Sequence, residues 1–202
     1  GNRTLKEHDK VSEEAPQVQD LSEPRLPPWL QGVPSLPHYT TDMFSSMPDT
    51  RWQIPKVLGE AGIALLYGAP QQGKTVLVLD MAISVALGAS WAGRPVERGN
   101  VLYGVSEGAG GFRLRALAAE AQRGISLGER VIFVEEPVNL MKDEDVLKLM
   151  KLVLVRKCKL VIIDTLASSL AGEGDENSNR DMSKFLHGAK RIAKETGAAV
   201  LI

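Results

Sequence analysis

The sequence predicts an α/β fold in which a mostly parallel sheet is flanked by helices. Three observations carry that expectation. From Trp52 onward, apolar runs of strand length alternate with longer stretches of helical period. The run Ile63-Ala64-Leu65-Leu66-Tyr67 leads into Gly68-Ala69-Pro70-Gln71-Gln72-Gly73-Lys74-Thr75, a complete GxxxxGK[ST] loop, with an apolar helical stretch behind it. A later run, Leu160-Val161-Ile162-Ile163, closes on a carboxylate, Asp164.

Residues 1 to about 50 form a segment apart. They are rich in Pro, Ser, Glu and Gln, and neither helical nor strand periodicity persists in them. Such a composition buries too little apolar surface to offset its ordering entropy, so a linker or tail is expected. Charge divides the same way: residues 1–50 hold 4 Lys/Arg against 8 Asp/Glu, and residues 51–202 hold 20 against 17. The second segment is too weakly basic to identify a nucleic-acid partner by charge alone. The chain opens on Gly1 and closes on Val200-Leu201-Ile202, inside an apolar run. Both ends read as cuts, so a larger parent is expected.

In the second segment, 51–202, the elements follow in order. Ile63–Tyr67 reads as a buried strand and Lys74–Leu87 as the first helix. Asn100–Ser106 is the next strand, Phe112–Arg123 a helix, and Val131–Val134 a short strand. Asp143–Val155 is an amphipathic helix. The basic run Lys148, Lys151, Arg156, Lys157 and Lys159 before the fourth strand interleaves with apolar residues and reads as a solvated face opposite a packing face. Leu160–Ile163 is the fourth strand, Arg180–Thr196 a helix stopped by Gly197, and Ala198–Ile202 the fifth strand. Ser178 or Asn179 is expected to cap the helix that follows the acidic loop 173–176.

Chemistry concentrates at the loop. Gly68 and Gly73 let backbone wrap phosphate oxygens without a side chain in the way. The amides from Gly68 through Ala69, Pro70, Gln71, Gln72 and on to Val76 surround the anion, less the N–H that proline lacks. Lys74 reaches the β- and γ-phosphates, and the Thr75 hydroxyl holds Mg²⁺. Asp164 falls where it fixes the metal's water shell; the alternative is an aspartate that caps a helix. Many AAA+ ATPases carry a glutamate directly after that aspartate, but here the residue is Thr165. The base is therefore sought elsewhere. Glu107, just past the second strand, falls where parallel sheets collect their active-site groups, and a solvated loop glutamate is the competing reading. Arg113, Arg115 and Arg123 read as solvated surface.

Other classes are excluded or demoted. Cys158 is the single cysteine, which excludes an internal disulfide framework and a cysteine-based zinc site. No apolar run approaches the roughly 18 residues of a membrane span, and no secretory signal opens the chain. A cytoplasmic protein without membrane contact is expected.

Loop, Glu107 and the Ile163-Asp164-Thr165-Leu166-Ala167 stretch together resemble the RecA-like P-loop NTPases. The closest likeness is to the RepA-type, DnaB-related replicative helicases, through Gly172-Glu173-Gly174-Asp175-Glu176-Asn177-Ser178-Asn179 and Thr196-Gly197-Ala198-Ala199-Val200-Leu201-Ile202. That resemblance implies an ATP- and Mg²⁺-dependent ATPase, working as a homo-oligomeric, hexameric ring, often on single-stranded DNA. It makes Lys74 and Glu107 catalytic and places Thr75 and Asp164 at the metal. It also implies a sensor, DNA-facing loops and an arginine finger past Ile202, so that the C-terminal part of the fold is missing here. A RecA-like recombination or regulatory ATPase and a P-loop small-molecule kinase are the competing readings. The kinase lacks support because no lid rich in close arginines is visible.

Overall fold

Strands that read as continuous apolar runs need cover on both faces. The computed structural model describes residues 26–69, 71–105, 109–170, 174 and 178–202. The chain divides into two compact units, Gly1–Met47 and Pro48–Ile202. Within the first, a 3₁₀ turn at Pro28–Leu30 and a short helix α1 (Thr41–Phe44) break an otherwise irregular backbone. Its Trp29, Tyr39, Met43 and Phe44 are exposed.

The second unit opens with a small antiparallel pair, β1 (Trp52–Ile54) and β2 (Leu58–Gly59), which no periodicity signals at these lengths. The main elements follow: β3 (Ile63–Ala64), α2 (Lys74–Leu87), β4 (Asn100–Val105), α3 (Ala109–Arg123), β5 (Val131–Val134) and α4 (Asp143–Val155). The remainder is β6 (Cys158–Asp164), α5 (Leu166–Ser169), α6 (Asn179–Thr196) and β7 (Ala199–Leu201). Five strands pair in the order β3-β7-β6-β4-β5, every pair parallel. One row crosses the whole sheet: Ala64, Leu201, Ile162, Tyr103, Phe133.

Side chains alternate between the two faces with period two. Val101, Tyr103, Val105, Leu160, Ile162 and Leu201 pack with α2 and α3 in one buried cluster. Leu102, Val161, Ile163 and Val200 pack with α4 and α6 in the other. Helices thus cover both faces, the three-layer α/β arrangement that the alternation predicts. The predicted bounds of α2, β5 and α4 match the structure, and α4 buries Val146, Leu149, Met150 and Val153.

One expectation needs correction. The strand before the loop is a short, half-buried edge strand, with Leu65 and Tyr67 exposed, and not a buried strand over Ile63–Tyr67. Its only hydrogen-bonded neighbour among the described strands is β7. The Leu66 N–H still donates to Ile202 O at 2.7 Å, so the chain runs beside β7 before it turns away into the loop. Apolar composition alone does not tell an edge strand from a central one.

Candidate nucleotide site

The loop rests on a helix N-terminus that no side chain caps. Gly73 is the N-cap of α2, with φ of +79° and no capping side chain. The first hydrogen bond into the helix runs from Leu77 N–H to Gly73 O at 3.0 Å. The amides of the preceding turn are left to an outside acceptor, and the positive end of the helix dipole favours an anion there. A Cβ at Gly73 would meet nothing within 4 Å, so its positive φ is what calls for glycine. Gln71 also takes a left-handed conformation, with φ of +63°.

Lys74 leads α2 and folds back over the loop. Its Nζ donates to Gly68 O at 2.7 Å and to Ala69 O at 2.9 Å. The ammonium therefore already sits inside the curve of the loop. Thr75 follows in the first helical turn and is half-buried, while Val76 faces solvent. Pro70 lies outside the described residues, as do Glu107 and the acidic residues Glu173, Asp175 and Glu176.

Asp164 ends β6, half-buried, and its Oδ2 accepts a hydrogen bond of 2.9 Å from the Tyr103 hydroxyl. The peptide between Asp164 and Thr165 is cis. Tyr103 is fully buried, with ring centroids 4.5 Å from Phe112 and 6.2 Å from Phe133. Burial, followed by the negative charge of Asp164, raises the Tyr103 pKa far above tyrosine's ordinary value. The hydroxyl thus stays protonated and acts as a fixed donor that orients the carboxylate. Sequence reasoning missed Tyr103. The available signal was a hydroxyl-bearing aromatic in an otherwise aliphatic strand, since a buried tyrosine O–H has to find a partner.

A cavity of about 420 Å³ joins the two halves of the site. Gly68, Lys74, Asp164 and Thr165 line it, with Leu66 and Ile202 in its apolar wall. It opens past the C-terminal ends of β3, β6 and β7, the edge at which open parallel sheets bind ligands. A cavity of equal volume between α3 and β5 holds Phe112 and Phe133 but neither the loop nor Asp164. The strand bearing Asp164 stands two places from β3, which at ordinary strand spacing is about 10 Å. A hydroxyl on the loop side and a carboxylate across that gap suit Mg²⁺, which keeps several waters and takes few protein ligands.

The arginines after the second strand are exposed, and Arg123 pairs with Asp80 on α2. No helix among the described residues is long and apolar enough to cross a membrane.

Residues 35–202 match the family model described as AAA domain (AAA_25). Among solved structures, the fold is similar to a crystal structure of the RadB recombinase, with a TM-score of 0.51 at 21% identity. The match covers 72% of this chain and 61% of that one, so the chain spans about three-fifths of that structure's length. No curated protein matches the sequence. The loop, the carboxylate-ending strand and the parallel sheet thus stand in a RecA-like P-loop ATPase-type domain, and the chain belongs to the AAA-domain family.

Proposed function

We propose that this domain hydrolyses ATP with Mg²⁺ as the motor of a RepA-type, DnaB-related DNA replication helicase acting as a homo-oligomeric, hexameric ring on single-stranded DNA. The observation that carries the catalytic part is the shared cavity of Lys74 and Asp164 at one edge of the parallel sheet. Lys74 Nζ exchanges the carbonyls of Gly68 and Ala69 for β- and γ-phosphate oxygens, and the amides that open α2 hold the same phosphates. Mg²⁺, when bound, neutralises charge that develops on the transferred phosphoryl group. Thr75 offers it a hydroxyl. Asp164, held by Tyr103, orients its water shell. Glu107 takes the proton of the attacking water, because Thr165 has no carboxylate with which to do so. The ring and the DNA substrate rest on the resemblance of residues 163–167 and 172–179 to the RepA-type group.

Glu107→Gln tests the chemistry in the intact gene product. The amide keeps the size of the side chain but cannot accept a proton. ATP should bind nearly as in the wild type while turnover falls by about 10²-fold or more. Wild-type turnover in Glu107→Gln would place the base elsewhere. Unwinding of a forked DNA duplex, and its loss in the same variant, tests the helicase assignment.

A further inference from the structure

The ends of β4 and β6 remote from Asp164 carry a second concentration of charge, roughly 20 Å away along β6 at an ordinary strand rise. A cavity of about 320 Å³ opens there. Arg98, Arg130, Lys157 and Lys159 line it, and no carboxylate does. Two of these cations are seated by glycines. A Cβ at Gly99 would collide with the Lys159 stem, and one at Gly88 would lie 2.9 Å from Arg98 Cβ.

Part of this charge has a local explanation. Gly88 ends α2 and Arg156 ends α4, and cations near helix C-termini complement about half a negative charge at each. Lys159 pairs with Glu97 at 3.3 Å, and Arg156 with Glu129 at 3.4 Å. The hydrogen bond between Glu60 and Glu97 raises the Glu60 pKa and lowers that of Glu97, which favours the ionised form of the carboxylate that faces Lys159. Arg98, Arg130 and Lys157 remain: none has a carboxylate partner among the described residues, and Arg98 and Lys157 are exposed.

We infer that this cavity holds the phosphodiester backbone of a nucleic acid. Two arginine forks and two lysine point charges suit phosphate oxygens. Of the lining residues only Ala86 is apolar, and no aromatic ring is present to stack a base. The cavity therefore takes backbone without reading sequence, and its binding is strongly salt-dependent. It lies at the opposite end of the strands from the phosphate loop.

The test is fluorescence anisotropy of a labelled single-stranded oligonucleotide, titrated with the full chain over a range of salt. Arg98→Ala/Lys157→Ala should weaken binding by about tenfold or more at low salt. It should also flatten the slope of log affinity against log salt by about 1.4, or about 0.7 per lost phosphate contact. Lys190→Ala/Lys194→Ala makes the same charge change at exposed positions of α6 and should leave both quantities unchanged. Retained affinity for a fluorescent ATP analogue shows that the variants are folded. Equal losses in the two double variants, an unchanged slope, or a wild-type chain that binds no oligonucleotide each overturns the assignment.

Discussion

Lys74 and Asp164 line the same cavity, the first held by the carbonyls of Gly68 and Ala69 and the second by the Tyr103 hydroxyl behind it. Removing the ammonium in Lys74→Ala deletes the one cation that the loop aims at the phosphates. Affinity for a fluorescent ATP analogue should fall at least about tenfold, about 1.4 kcal/mol. Equal affinity would show that the loop is not the binding site. Tyr103→Phe keeps the ring against Phe112 and removes only the donor to Asp164. The expected loss is about 1.5–3 kcal/mol of stability in urea unfolding, the net worth of a hydrogen bond to a charged group. An unchanged midpoint would mean that water serves Asp164 equally well. Lys74 and Asp164 were legible in the sequence because their signals are local: a loop motif and a strand that ends in an acid. The hydrogen bond from Tyr103 was not, since it joins residues 61 positions apart and depends on which strands are neighbours.

At the scale of elements, α6 shows how one missing side chain sets a packing distance. Ser178 caps the helix by accepting from Asp181 N–H at 3.4 Å, and Phe185, Ala189, Ile192 and Ala193 form its buried face. Gly188 belongs to the same face. A Cβ there would collide with Leu140 O and lie 3.2 Å from Val146 Cγ2, so the helix seats directly on backbone beside α4. Gly188→Ala should destabilise the domain by about 1–3 kcal/mol, although alanine is the better helix former. Chemical denaturation reads this directly, and a stabilised variant would show that the helix can shift outward without penalty. The span and cap of α6 were legible from Ser178 and Gly197. The role of Gly188 was not, because a glycine within a helical pattern reads only as a local cost.

At the scale of the molecule, one edge of the sheet gathers the loop, Asp164 and the cavity between them, so ligand binding and folding are linked. Mg-ATP at about a hundred times its dissociation constant should add about 2.7 kcal/mol of stability. For a chain of this size that is a rise in Tm of about 5–11 °C. Differential scanning fluorimetry should show the rise in the wild type and cut it to about half or less in Lys74→Ala, the loss that a tenfold or greater fall in affinity dictates. A shift of the same size in both would separate the thermal effect from the loop. Strand and helix alternation made the class of fold legible, whereas the order β3-β7-β6-β4-β5 is written in no local pattern.

That order has a consequence for motion. The strand that enters the phosphate loop hangs on a single ladder, through Val200 N–H to Gly62 O, Ile202 N–H to Ala64 O and Leu66 N–H to Ile202 O. The strand that carries Asp164 is held on both sides, by β4 and β7. The two halves of the site thus differ in how readily they open. Solvent hydrogen exchange would find the loop-bearing strand fraying on its own while the Asp164 strand opens only with the whole sheet, because local opening follows the number of bonds that must break. A domain built this way can let the loop end breathe around a ligand while the Asp164 end keeps time with the core.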